Sequence, residues 1–370
     1  MSRWLSLLDW RACYGVLLVE SLALAWFLTP VAGRLGERLG LVDVPGGRRA
    51  HRRPTPRSGG MALFVTFWLV AGVNLLAAFA VSRSGLAAAP FASLVARIPH
   101  HIVVQLGAVA AGALWIFAVG LWDDRRALRP SIKLLCQIIA TLPLIAAGIH
   151  IVSFIPWAWV GYLITVVWVV LLINSFNFLD NMDGLSAGIG AIVALVLGWI
   201  SFRAGEWLMT GLFVIAFGTL VGFLRHNFSP ASIFMGDSGS MFLGYMIGVL
   251  TVLATYYKQG VPTRLPVLTP LIVLGVPLFD TCSVLWIRWR EGHSLTQGDR
   301  NHFSHRLVNL GMTERGAVLF LYLVTLCVGL GSLPLRYLDL TAALLVTLQT
   351  ILWFVIIYWI ERLGKRAAEK

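Results

Sequence analysis

The chain has 370 residues, of which 58% are hydrophobic and only 12% are charged, with a mean hydropathy of +0.81. A soluble domain carries about 25% charged residues, so the composition excludes a soluble globular or disordered chain and points to a membrane protein throughout. The formal net charge is +12, and positive-inside loops explain most of it without a nucleic-acid partner.

About eleven apolar runs are long enough to span a bilayer, near residues 14–32, 60–82, 102–121, 134–153, 157–176, 185–202, 207–224, 231–256, 266–287, 316–334 and 339–360. The loops between them are too short for a separate soluble domain. The expected architecture is therefore a single all-α polytopic domain over residues 1–370, with about eleven transmembrane helices. No small-x-small cleavage site follows the first run, so it reads as an uncleaved helix. With segment 33–59 in the cytosol, the cytosolic side collects 21 of the 29 Lys and Arg and the outside 8. This places the N-terminus outside and the C-terminus, "ERLGKRAAEK", inside. Cys13, Cys136, Cys282 and Cys327 have neither metal nor disulfide spacing and read as packing residues. Glu20, inside the first run, has no evident partner.

The cytosolic loops, in chain order, carry the polar chemistry. The first, "DVPGGRRAHRRPTPRSGG" (Asp43–Gly60), is arginine-rich, includes His51 and Arg57, and closes on two glycines. It reads as ordinary positive-inside dressing or as a phosphate-binding surface. "GLWDDRRALRPSIK" follows the third run with Asp123, Asp124 and Lys133. "NFLDNMDG" follows the fifth with Asn177, Asp180 and Asp183, and "IFMGDSGS" carries Asp237 between glycines. Each acid has a bland reading: a solvated helix-end pair at Asp123–Asp124, a turn or N-cap at Asp183-Gly184, a cap at Asp237. Ionisable groups bordering hydrocarbon are costly and usually functional, and five that converge would repel one another unless a cation lay among them. Hard oxygen donors suit Mg²⁺, or Mn²⁺, rather than Zn²⁺. Mg²⁺ completes its shell with water and substrate phosphate, which implies a phosphate-bearing substrate. Further along, "GVPLFDT" contains Asp280, which reads equally as a helix-packing partner. "GDRNHFSHRL" offers Arg300, His302, His305 and Arg306, and no other His/Cys cluster completes a zinc site around the two histidines.

These motifs, spanning about residues 40–311, resemble those of the polyprenyl-phosphate N-acetylhexosamine-1-phosphate transferases (glycosyltransferase family 4 type). Within that family the chain looks like the undecaprenyl-phosphate N-acetylglucosamine-1-phosphate transferase branch. "LVDVPGGRRAHRRPTPRSGG", "GLWDD" with "PSIKLLCQ", "NSFNFLDNMDGLSAG", "FMGDSGS", "GVPLFDT" and "DRNHFSHRL" stand in the family's order. The family's histidine motif often reads His-x-His-His, whereas here Ser304 takes the middle place between His302 and His305. The first loop is unlike the shorter version in the phospho-MurNAc-pentapeptide transferases, which counts against the peptidoglycan step.

The resemblance implies ten or eleven membrane helices in the bacterial cytoplasmic membrane, with the active site on the cytosolic face. It implies Mg²⁺-dependent transfer of a sugar 1-phosphate from a UDP-sugar to undecaprenyl phosphate, with release of UMP, to initiate cell-envelope polysaccharide synthesis. Asp237 then matches the metal ligand. Asp123 and Asp124 match the catalytic pair, with Asp124 shared with the metal. Asn177, Asp180 and Asp183 would shape the nucleotide side. Lys133, His51, Arg57, Arg300, His302 and His305 would hold phosphates or sugar. In-line attack by the lipid phosphate is the simpler route, a phospho-aspartate the longer one. Outside enzymes, the rival readings are a cation-coupled transporter, which would place acids near the bilayer midplane, and a polyprenyl-lipid-binding scaffold.

Overall fold

The computed structural model describes residues 2–44, 54–83, 100–151, 157–254, 256, 265–294 and 301–368; His51 and Arg300 lie outside them. The described chain is helical apart from a two-residue ribbon. In it β1 (Val42–Asp43) pairs antiparallel with β2 (Thr55–Pro56), Val42 opposite Pro56.

Each of the eleven apolar runs coincides with a helical element, but not all are full spans. Among the described residues, nine helices are long and apolar enough to cross a membrane, or ten if one bent pair is a span. The nine lie in α1 (Ser2–Arg38), α2 (Gly59–Arg83), α3 (His100–Arg125), α5 (Ala158–Leu179), α6 (Leu185–Ala204), α7 (Trp207–Asn227), α8 (Gly236–Leu253), α12 (Glu314–Ser332) and α13 (Leu340–Ala368). The run at 134–153 becomes α4 (Pro130–Ala146), only 17 residues or about 25 Å at 1.5 Å per residue. It stops early because Gly148 takes φ +73, the left-handed conformation that ends helices. The run at 266–287 becomes α9 (Thr269–Val273) and α10 (Gly275–Arg290), bent by 65°. Pro277 has no N–H to offer the carbonyl four residues back, at Val273, which accounts for the break. A short α11 (Phe303–Asn309) completes the set.

The bundle is arranged around α8, which packs against α2, α3 and α5. Its residues from Ser238 to Thr251 are buried on every side, as expected of a helix apolar all round. Glycines in it allow the close approach on which helix packing in lipid depends. Outside this core, α1 lies along α7, and α7 along α6. The ends of α3 and α5 and the starts of α4 and α8 converge on one another, and that junction holds the polar residues.

Candidate active site at the helix junction

The last turn of α3 carries Asp123 and Asp124, where carboxylates oppose the helix dipole. Each is compensated by a different neighbour. Asp124 reaches the start of α8, accepting from the backbone N–H of Asp237 at 2.8 Å and of Ser238 at 2.9 Å. A carboxylate at a helix N-terminus satisfies unpaired N–H groups and meets the favourable end of the dipole. The α8 start lacks a side-chain cap of its own, so the aspartate from α3 supplies it. Gly236, at φ +72, makes the turn possible: a Cβ there would lie 2.7 Å from the Arg57 carbonyl and 2.9 Å from both Asp124 oxygens. Gly120 lets α3 come close, since a Cβ would sit 2.5 Å from the Ser238 Cα.

Asp123 is held by the α3–α4 turn. It accepts from the Leu128 N–H at 2.6 Å and from Lys133 Nζ at 2.7 Å. Lys133 also donates to Asp237 Oδ1 at 2.9 Å and Asn177 Oδ1 at 3.2 Å. The same Asp237 oxygen accepts from Asn177 Nδ2, which lies 2.9 Å from Ser240 Oγ as well. One ammonium thus joins α3, α5 and α8. Arg57 approaches from the opposite side, its Nη2 3.7 Å from Asp237 Oδ2 and 4.0 Å from Asp124 Oδ1. Desolvation works against its charge, but Asp124 and Asp237 outweigh that and raise its pKa. The segment on both sides of it is anchored to "IFMGD": Phe234 N donates to Pro56 O, Gly59 N to Phe234 O and Gly60 N to Met235 O.

Asp180 follows the last turn of α5. Burial, then the charge of Asp237, push its carboxyl up to about 8. Asp183 accepts from the Ala231 N–H at 2.9 Å and so ties the turn to the loop before α8 rather than capping α6.

Four of the five aspartates singled out in the sequence, Asp123, Asp124, Asp183 and Asp237, have protein partners of their own. Among the described residues, no three His, Cys, Asp or Glu side chains form a group able to hold a metal ion. Asp123 and Asp237 are neutralised through Lys133 and Asp183 is a turn-builder. Both oxygens of Asp124, the second expected metal ligand, accept α8 N–H groups. The donor set still fits Mg²⁺ in its usual mode, one or two carboxylates with the shell completed by water and substrate phosphate. Asp237 Oδ2, 3.7 Å from Arg57 Nη2, would be its ligand, and the raised Asp180 is the carboxyl that a nearby cation would return to its charged form.

A second group adjoins the first through the same turn. Buried Asp280 on α10 bonds His302 Nδ1 through Oδ2 at 2.9 Å and accepts the Phe303 N–H through Oδ1. It caps α11 and sets the imidazole at once. The His302 ring meets Phe178 edge-on, centroids 5.7 Å apart, and Arg288 lies over the same phenyl ring at 5.6 Å. Ser304, in the odd place of the histidine motif, donates to Asn181 Oδ1 at 2.7 Å. Asn181 in turn donates to the Phe178 carbonyl at 2.6 Å. His305 lies further along α11, half-buried. Asn181, Ser240 and Gly236 escaped the sequence reading, although each stands inside a motif already singled out. Glu20 also finds a partner: it accepts from Asn74 Nδ2 at 2.7 Å.

Residues 106–255 match the family model described as glycosyl transferase family 4; the match covers the Asp123–Asp237 junction but stops short of His302. The chain is 30% identical over 350 residues to the probable undecaprenyl-phosphate N-acetylglucosaminyl 1-phosphate transferase of Bacillus subtilis (strain 168), covering 92% of this chain and 90% of that one. It is 34% identical to the decaprenyl-phosphate N-acetylglucosaminephosphotransferase of Mycolicibacterium smegmatis, over 85% of this chain and 80% of the relative. The undecaprenyl-phosphate alpha-N-acetylglucosaminyl 1-phosphate transferase of Yersinia pestis is 28% identical, over 79% and 76%.

Proposed function

Because the chain belongs to glycosyl transferase family 4, among relatives named as polyprenyl-phosphate N-acetylglucosamine-1-phosphate transferases, we propose that it transfers N-acetylglucosamine 1-phosphate from a UDP-sugar to undecaprenyl phosphate. The observation that carries the reading is the Lys133 bridge joining Asp123, Asn177 and Asp237 where three helix ends meet. Such a junction at the border of the apolar bundle suits a donor arriving from water and an acceptor phosphate anchored in lipid. The positive-inside count supports placing it on the cytosolic face of a bacterial inner membrane.

In the reaction an oxygen of the lipid phosphate attacks the sugar-bearing phosphorus of the UDP-sugar. The bond to the UMP phosphate breaks, leaving a lipid diphosphate-sugar and UMP. One anhydride replaces another, so catalysis is mostly positioning and charge neutralisation. Arg57 is the cation that would meet phosphate oxygens, while Lys133, whose three donors go to Asp123, Asn177 and Asp237, holds the carboxylates in place. Asp124 fixes the α8 backbone and with it Asp237, whose Oδ2 lies beside Arg57. Mg²⁺ held by Asp237, with Asp180 beside it, would supply charge neutralisation on the donor diphosphate. A phosphate monoester has a second pKa near ~6, so the acceptor is already a dianion near neutrality and Asp123 is left to orient Lys133. A transporter is disfavoured by Asp123, Asp124, Asp180, Asp183 and Asp237, which sit at or just beyond helix ends rather than mid-span, and a scaffold leaves the Lys133 network without a task.

The test is a radiolabel assay with purified protein, Mg²⁺ and undecaprenyl phosphate, offering UDP-GlcNAc, UDP-GalNAc and UDP-MurNAc-pentapeptide separately. Label entering the lipid phase from UDP-GlcNAc with UMP release, abolished by EDTA and restored by Mg²⁺ or Mn²⁺, is the expected result. Transfer from the pentapeptide donor alone would move the chain to the peptidoglycan step. Lipid binding without transfer from any UDP-sugar would leave the scaffold.

A further inference from the structure

The C-terminal helix α13 lies outside every sequence motif, and much of its surface is exposed, including Leu344, Leu348, Ile351, Leu352 and Trp359. Two residues seven apart on it are nevertheless built into the mount of His302. Phe354 stacks on Phe279, centroids 5.0 Å apart, and Phe279 meets Phe303 edge-on at 5.3 Å. Two turns later Glu361, 6% exposed, accepts from Nε of Arg306, 4% exposed, at 3.1 Å. The guanidinium donates in addition to the carbonyl of Asn301, immediately before His302, and to Ser283 Oγ at 3.0 Å. Ser283 lies less than a turn past Asp280 on α10. His302 is therefore held from both sides, by Asp280 on its ring and by Arg306 on the backbone leading into it.

A buried ion pair of this kind contributes little net stability compared with apolar packing, while loss of one partner strands a buried charge. Its geometry is directional, and the direction here fixes the segment that presents a histidine to the site. We infer that Glu361 is a positioning residue for the transfer reaction, acting through Arg306 on His302. This rests on the proposed function only in assuming that His302 takes part in binding or turnover.

Glu361→Ala and Glu361→Gln would be assayed for transfer alone and in a His302→Ala background. The rate of His302 carbethoxylation by diethyl pyrocarbonate, read by mass spectrometry of its peptide, gives a measure independent of turnover. Glu361→Ala should lower kcat/KM about tenfold, as loss of an orienting partner does at other histidine sites. Glu361→Gln, which keeps the shape and an acceptor oxygen, should recover part of that loss. In the His302→Ala background Glu361→Ala should add nothing, and in the single variant His302 should react several-fold faster. Wild-type kinetics in Glu361→Ala, or the same loss on top of His302→Ala, would overturn the inference. If the wild-type protein transferred no sugar phosphate, the proposed function would fall. His302 reactivity would still decide whether Glu361 holds His302 in place, an unchanged rate rejecting that and a faster one supporting it.

Discussion

Lys133 stands in the first turn of α4, where the helix dipole disfavours a cation, and it is held there by Asp123, Asp237 and Asn177. Its replacement by methionine leaves two carboxylates facing each other with their shared cation gone. Lys133→Met is expected to lower the rate of UMP release by about 10²-fold or more, while the purified protein stays monodisperse in detergent. Asp180 gives a pH prediction with a definite sign. Its folded-state value of about 8 lies above the ordinary 3.8, so between those values the unfolded chain ionises while the folded one keeps its proton. The contribution of Asp180 to stability therefore falls as pH rises through that window and levels off above about 8. In EDTA, the midpoint of thermal unfolding of Asp180→Asn should match wild type near pH 4 and exceed it increasingly towards pH 8. A constant difference across the range would show that Asp180 is ionised throughout.

At the scale of elements, the junction depends on how closely α3 approaches the start of α8. Gly120→Ala forces a methyl group into the Ser238 backbone, whereas at Gly72 a Cβ meets nothing within 4 Å. The expected cost of Gly120→Ala is about 1–3 kcal/mol, seen as a lowered Tm in detergent together with loss of transfer; Gly72→Ala should leave both near wild type. Equal behaviour of the two variants would contradict the packing described here. The helices themselves were legible as apolar runs, because every backbone group in hydrocarbon must be satisfied internally. Their breaks were less so. Hydropathy runs straight through Gly148 and Pro277, since neither interrupts the apolar character of its segment, yet one ends α4 and the other bends α9 from α10.

For the whole molecule, the charge asymmetry of the loops makes a claim about orientation that labelling can check. In a chain with Cys13, Cys136, Cys282 and Cys327 changed to serine, a cysteine introduced at Leu338 should react with an impermeant maleimide in intact spheroplasts. One at Ala127, in the α3–α4 turn beside Asp123, should react only after lysis. The reverse pattern would turn the protein over and place the site on the outer face.

From its composition and motif order alone, the sequence determined a helical membrane protein, its family and the segments that carry acids. These are properties of single stretches, and the bilayer imposes the same hydrophobic requirement on each of them. Which carboxylate does what was decided only by the tertiary structure. Asp123 and Asp124 are neighbours in one turn, yet the first pairs with a lysine and the second caps a distant helix. Asp280 and His302 are joined across two helices, and Glu361 reaches the same mount from beyond the last motif. The role of a charged side chain in a low-dielectric interior depends on the partner that compensates it, and that partner is brought by the packing of other helices, at separations along the chain where no local pattern records it.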